Sequence, residues 1–262
     1  MNLKPLVSAW IRRLGLIRMV DAARFRLMRT AGMKQNRRFV RDNPGVVLPP
    51  DDLMYEAFRI DYHRYFNNGR KTAEWLLEIA GRHRRLDKAV ILDWGCGPGR
   101  VIRHLPLMLP SAKLHGSDYN PRSVKWCSDH LKDIGFSNNR LMPPLDYPDG
   151  MFDMVYAISI FTHLSENAHL LWLDDLVRVL KPGGLLFFTL HGAAFEHDLN
   201  REEMNRFRSG RLVIRGQTRE GHRTYTAYHP EAWVRKWTSS LDLLEFIQGG
   251  SGEQDVWIFS KP

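Results

Sequence analysis

Val90-Ile91-Leu92-Asp93-Trp94-Gly95-Cys96-Gly97-Pro98-Gly99-Arg100 is the stretch on which the fold of this chain turns. A short apolar run, residues 89–94, has strand character and ends at glycines, and residues 98–108 have helix-forming character. Glycines let the main chain turn sharply and let a ligand approach the backbone. The N-terminus of a following helix adds free N–H groups. Dinucleotide-binding turns use the same logic with the spacing G-x-G-x-x-G. Here the spacing is G-x-G-x-G, Arg100 stands where the last dinucleotide glycine would be, and Asp93 precedes the turn. A carboxylate there repels a pyrophosphate and suits the amino group of an amino-acid moiety.

Working outward, residues 113–117 form a second predicted strand, followed by Asp118 and Tyr119. An acid at a strand end about twenty residues after a glycine turn is placed to accept hydrogen bonds from ribose hydroxyls. Tyr119 beside it can pack on a purine. A helix is expected over residues 121–132, with Pro121 suited to its start, and a buried strand over 152–158. A helix over 166–180 would put Leu170, Leu173, Leu176, Val177 and Leu180 on one face. Lys181-Pro182-Gly183-Gly184 stops it, and residues 185–190 read as a continuous apolar strand. Strands alternating with helices imply βαβ units and a parallel sheet. Residues 191–228, rich in charge and glycine, break the pattern and read as an insertion above the sheet. A last helix over 230–239 precedes a closing hairpin of 243–248 and 255–260.

The stretch from Val90 to Gly192 resembles the class I S-adenosylmethionine-dependent methyltransferases. The resemblance covers about two-fifths of the chain, with its motifs in the expected order. It implies S-adenosylmethionine as cofactor, with the methionine portion on the turn of Asp93, Gly95, Cys96, Gly97 and Gly99, and the nucleoside at Asp118 and Tyr119. The family's adenine-side segment corresponds to Leu141-Met142-Pro143, ahead of Pro148-Asp149-Gly150-Met151-Phe152-Asp153. The family usually carries an acid near the first of these positions. This chain has none there, so contacts by Met142 and Pro143 would be through backbone or packing. The fourth strand and its exit correspond to Val155–Phe161, which adds Ile158 to the cofactor contacts. Arg178-Val179-Leu180-Lys181-Pro182-Gly183-Gly184 matches the helix-to-strand turn.

The expected architecture is therefore a Rossmann-like seven-stranded, mostly parallel sheet with an antiparallel C-terminal hairpin and an N-terminal helical extension. Residues 1–50 would be the extension and 51–262 the methyltransferase domain. Within the latter, 51–88 would be a helical cover rich in aromatics, 89–190 the cofactor-binding core, 191–228 the substrate region, and 229–262 the C-terminal helix and hairpin.

His163 follows the fourth predicted strand, and loops at the carboxyl ends of strands hold ligands in open α/β sheets. It is the candidate general base, against a simple packing role. His191, Tyr55, Arg59, Tyr62 and Tyr65 could reach the same mouth. His222 and His229 read as surface or strand-end residues. The eleven histidines form no metal-ligand pattern, so no metal is expected. Cys96 reads as a small packing residue of the turn, without a base or redox partner.

The chain has 262 residues and a formal charge of +9. Residues 1–50 hold eleven Lys and Arg against Asp21 and Asp42, so the whole excess sits there and the remainder is neutral. A uniformly basic nucleic-acid-binding domain would not look like this, and a nucleic-acid substrate is disfavoured. Residues 1–41 read as a basic amphipathic helix or helix pair, with Leu3, Leu6, Val7, Trp10, Leu14 and Ile17 at helical spacing. Three readings stand: a packed helix with a solvated basic face, a helix lying on an anionic membrane, or a docking element for a partner or a second subunit. Two cysteines make no disulfide framework, and no apolar run is long enough to span a bilayer. The expected setting is cytoplasmic, with peripheral attachment to the inner membrane face as an option. The expected activity is O- or N-methylation of a small-molecule, glycan-like or lipid-linked acceptor. A non-catalytic cofactor-binding scaffold is the alternative, and a homo-oligomer is compatible with the sequence.

Overall fold

The computed structural model describes residues 15–262. The expected positions Leu3, Leu6, Val7, Trp10 and Leu14 lie outside the described residues. The chain forms two compact units, Arg18–Asn139 and Arg140–Pro262.

The first unit opens with α1 (Ile17–Asp42). It is held by Phe25 edge-on to Tyr55, by Phe39 against His63 and Phe66, and by Arg29 paired with Asp51. Asn36 accepts from the Tyr62 amide and donates to the Ile60 carbonyl. Its arginines, and several apolar side chains among them, face solvent. After the Pro49-Pro50 break come α2 (Asp51–Ala57), a π-turn (Arg64–Asn68) and α3 (Gly69–Gly81).

Strand β1 (Val90–Trp94) lies parallel to β2 (Lys113–Asp118), with Val90 opposite Lys113 and Trp94 opposite Ser117. Between them the expected helix over 98–108 is broken. Residues 98–101 are turn, followed by a 3₁₀ turn (Ile102–His104) and one α-turn, α4 (Leu105–Met108). Helix α5 (Pro121–His130) begins where Asn120 caps the Arg122 amide. It leads to β3 (Ile134–Asn138), a short strand parallel to β2 that the sequence pattern did not reveal.

In the second unit β4 (Phe152–Ala157) is buried at every residue, as a strand covered on both faces must be. Helix α6 (Glu166–Val179) starts at the Ser165 cap and buries Ala168, His169, Trp172, Leu173, Asp175, Leu176 and Val179. Leu170, expected on the buried face, is half exposed at 51%, because that face runs through Ala168, His169 and Trp172 instead. Strand β5 (Leu180–Leu190) lies parallel to β4.

The segment 191–228 has its own small core of Leu199, Phe207, Val213 and Tyr228. It contains a 3₁₀ stretch (Ala193–Asp198), α7 (Arg201–Arg208), and a two-stranded sheet of β6 (Val213–Arg215) and β7 (Thr226–Tyr228). Arg215 bridges to Glu203 and lies over the Tyr228 ring. Helix α8 (Glu231–Trp237) leads to the antiparallel hairpin β8 (Asp242–Ser251) and β9 (Gln254–Ser260). Strand β9 pairs antiparallel with β5 and is buried from Asp255 to Phe259. The seven main strands have the order β3-β2-β1-β4-β5-β9-β8, the expected mostly parallel sheet with a C-terminal antiparallel hairpin.

Candidate functional site

The glycine turn is built by the ends of two parallel strands. The Ser117 carbonyl accepts from the amides of both Gly95 and Cys96, at 2.8 and 3.0 Å. Gly95, Gly97 and Gly99 have positive φ of 78°, 51° and 77°, a region that side-chain-bearing residues avoid. Gly99 is required twice over, because a Cβ there would lie 2.5 Å from Leu131 Cδ1. Tyr65, buried in the helical cover, donates its hydroxyl to the Pro98 carbonyl at 2.8 Å. Tyr62 and Tyr55 instead bond Asp51 and Asp21.

Asp118 ends β2 with its carboxylate buried. Its Oδ2 accepts from the Gly97 amide and its Oδ1 from the Asn120 amide, both at 2.8 Å. Burial pushes its pKa up to about 6; the Asn120 and Gly97 amides pull it back, and nearby Glu56 raises it further. A carboxylate has about four acceptor positions, so two remain for further donors. Asp93 is buried near the end of β1, and Tyr119 is half-buried after β2. Cys96 is buried, and its hydrogen bond with Cys127 and its burial push the thiol pKa up. That favours the neutral, inert thiol expected of a packing residue. The structure thus gathers Asp93, Gly95, Cys96, Gly97, Gly99 and Asp118 around one turn.

Met142, Pro143, Ile158 and His163 lie in the other unit. Met142 and Pro143 are half-buried in an irregular segment before β4. Three residues on one side of α6 stitch this segment down. Trp172 donates its indole N–H to the Leu141 carbonyl at 3.0 Å. Asp175 accepts from the Leu145 amide at 2.7 Å. Arg178 bonds Asp175, Asp149 and the carbonyls of Leu145 and Tyr147. Sequence reasoning missed this clamp, although Arg178 opens the motif it quoted.

Ile158 leaves β4 half-buried. The next residue, Ser159, has φ of 63°, a position that costs a non-glycine residue about 1 kcal/mol or more. It is held there by its amide on Thr189 Oγ1 and its hydroxyl on Gln254. His163 ends the 3₁₀ turn (Phe161–His163). Its Nδ1 meets the Tyr225 carbonyl at 2.8 Å, and a carbonyl can only accept, so Nδ1 carries the proton. Nε2 of the neutral ring is then a lone-pair acceptor, and burial lowers the pKa. His229, expected at the surface or a strand end, is buried, its Nε2 2.9 Å from His169 Nε2. No group of three or more His, Cys, Asp or Glu among the described residues is arranged to hold a metal. No helix among them is long and apolar enough to cross a membrane.

Residues 91–184 match a protein-family model described as a methyltransferase domain. Over these residues the chain carries a methyltransferase domain. In fold, this methyltransferase domain is similar to a SAM-dependent methyltransferase from Methanosarcina mazei, with a TM-score of 0.54 and 19% identity, over 70% of this chain and 96% of that one. In sequence it is 33% identical to a tRNA (carboxymethyluridine(34)-5-O)-methyltransferase of Arabidopsis thaliana over 109 residues, 41% of this chain and a quarter of that protein. It is 25% identical to a phthiotriol/phenolphthiotriol dimycocerosates methyltransferase of Mycobacterium ulcerans over 230 residues, 81% of this chain and 80% of that protein. Other relatives are named as tRNA and small-molecule methyltransferases. Similarity alone therefore does not rank a nucleic-acid acceptor below the others.

Proposed function

We propose that this protein transfers the methyl group of S-adenosylmethionine to an oxygen or nitrogen of a small-molecule or glycan-like acceptor. The observation that carries the reading is Asp118, a buried strand-end carboxylate tied to the Gly97 amide and with acceptor positions to spare. That chemistry fits a ribose diol, and Asp93 beside the turn fits an ammonium group. Met142, Pro143, Ile158 and Tyr119 would complete the contacts. When bound, the cofactor supplies an electrophilic methyl group on a sulfonium. The chain's own work is to align the nucleophile and to take its proton, for which His163 Nε2 is suited because Nδ1–H is held by Tyr225. The first test is calorimetric titration with S-adenosylhomocysteine beside Asp118→Ala. Micromolar binding that weakens sharply in the variant supports the reading. Binding without methyl transfer to any acceptor favours the cofactor-binding scaffold, and a folded wild type that does not bind overturns both.

A second reading concerns α1. Met19 and Leu27 are 71% and 69% exposed, among exposed arginines, a combination suited to an anionic membrane surface. Pelleting with liposomes that contain anionic lipid, reversed by high salt, is expected. Equal pelleting without anionic lipid, or none, leaves α1 a packed helix with a solvated face.

A further inference from the structure

His163 and His191 come from different places in the chain, one after β4 and the other after β5, yet both hang from one short segment, Tyr225 and the strand β7 that follows it. His163 Nδ1 meets the Tyr225 carbonyl at 2.8 Å, and His191 Nδ1 meets the Ala227 carbonyl at 3.2 Å. Residues two apart on an extended strand direct their carbonyls to the same edge. The amide of His229, two residues further on, donates to the His191 carbonyl at 2.8 Å, and the Gly221 amide donates to the His163 carbonyl at 2.9 Å. The segment 221–229 therefore runs along the exits of β4 and β5 and fixes both imidazoles from one side. His191 is also fixed by its ring contacts with Phe195 and Tyr228, at 4.3 and 5.6 Å.

The consequence is chemical. Carbonyl oxygens only accept, so both rings carry the proton on Nδ1 and keep a lone pair on Nε2. Burial lowers the pKa of both, and His163 further disfavours a charge on His191, which falls to about 4. Arg223 and His222 act on His163 in the same direction. At neutral pH the site offers two uncharged acceptors, which suits hydrogen-bond donors and gives no welcome to a carboxylate or phosphate.

We propose that His163 and His191 form a paired acceptor that grips a methyl acceptor through two neighbouring donor groups, adjacent hydroxyls or a hydroxyl beside an amine. His163 takes the proton of the group that is methylated. The nucleophile's oxygen–carbon or nitrogen–carbon bond forms as the sulfonium–methyl bond breaks, and the sulfur keeps the electron pair as a neutral thioether. The nucleophile's proton passes to His163 Nε2 and then to water. His191 holds the neighbouring donor and sets which position is methylated.

This rests on the methyl-transfer reading, but its test does not require turnover. In histidine-¹⁵N-labelled protein at neutral pH, both residues are expected as the neutral Nδ1–H tautomer. Catechol is expected to shift both Nε2 signals, phenol only one, and anisole neither. In His191→Phe, which keeps the ring stacking, catechol affinity is expected to fall to that of phenol, roughly tenfold, as the loss of one hydrogen bond implies. His191→Gln is the second variant should the first fail to fold. An Nε2–H tautomer, a charged ring at neutral pH, or no response of Nε2 to catechol with or without S-adenosylhomocysteine overturns the proposal. Failure of S-adenosylhomocysteine binding alone strikes the methyl-transfer reading and leaves the paired acceptor standing.

Discussion

The Gly97 amide donates to Asp118 Oδ2 at 2.8 Å, so the carboxylate at the end of β2 shapes the glycine turn. In the free protein its pKa of about 6 lies above the unfolded value of 3.8. The folded state therefore binds the proton more tightly, and this group's contribution to stability falls as pH rises from about 4 to about 6. At neutral pH the charged carboxylate costs on the order of 3 kcal/mol. Ribose hydroxyls would favour the charged form. Binding of S-adenosylhomocysteine near pH 6 should release protons, and affinity should fall below that pH. Calorimetry in two buffers of different ionisation enthalpy reads the proton count, and a count of zero at pH 6 refutes the link.

Gly99→Ala should destabilise the protein by about 2–4 kcal/mol, from the left-handed backbone and overpacking against Leu131 and Cys127. Gly81→Ala, where an added Cβ meets nothing within 4 Å, should be neutral or slightly stabilising. Urea unfolding of the two variants side by side checks the contrast.

The buried His169–His229 bond makes a third prediction. His169 Nδ1 meets the Ser165 carbonyl at 2.7 Å, so its Nε2 must accept from His229. Burial lowers the pKa of His169 to about 4 and that of His229 well below its usual 6.5. Both folded values lie under the unfolded one, so the stability they contribute is complete above pH 6.5 and is lost as pH falls towards 4. Replacing both residues with Phe should flatten the pH dependence of the thermal midpoint over that window. His229→Phe alone should cost about 1–3 kcal/mol by stranding His169 Nε2.

Arg178→Lys should loosen the segment from Leu141 to Asp149. A lysine cannot reproduce the forked set of bonds to Asp175, Asp149 and the carbonyls of Leu145 and Tyr147. The expected outcome is roughly tenfold weaker S-adenosylhomocysteine binding with the fold retained. Unchanged affinity would mean that this segment does not touch the cofactor.

The parts of the fold legible in the sequence are those with local signals. Strand β1, its glycine turn and Asp118 announce themselves through apolar runs that end in residues of special backbone or charge. The hairpin of β8 and β9 does so through two apolar segments around glycines. Strand β3 was hidden because Ile134–Asn138 is five residues long, contains Gly135, and is defined only by its pairing with β2. The helix over 98–108 was overcalled because Gly99, at φ 77°, keeps residues 98–101 in a turn, and only a 3₁₀ turn and one α-turn follow. Leu170 was misplaced, and the burial of His229, which does follow the end of β7, was missed, for one reason. The buried face of α6 includes His169 and Asp175, polar residues tolerated there because partners distant in sequence satisfy them. The pairing of His163 with Tyr225 and of His191 with Ala227 spans 62 and 36 residues, beyond any periodicity.

Strand β7 has only three residues, yet two imidazoles from separate exits depend on the carbonyls of Tyr225, just before it, and of Ala227 within it. Any insertion or deletion between β6 and β7 that slid this strand would carry both histidines with it. Their mutual spacing would be kept. If the two rings grip the acceptor as proposed, a single loop edit would move both together, with no substitution at either histidine.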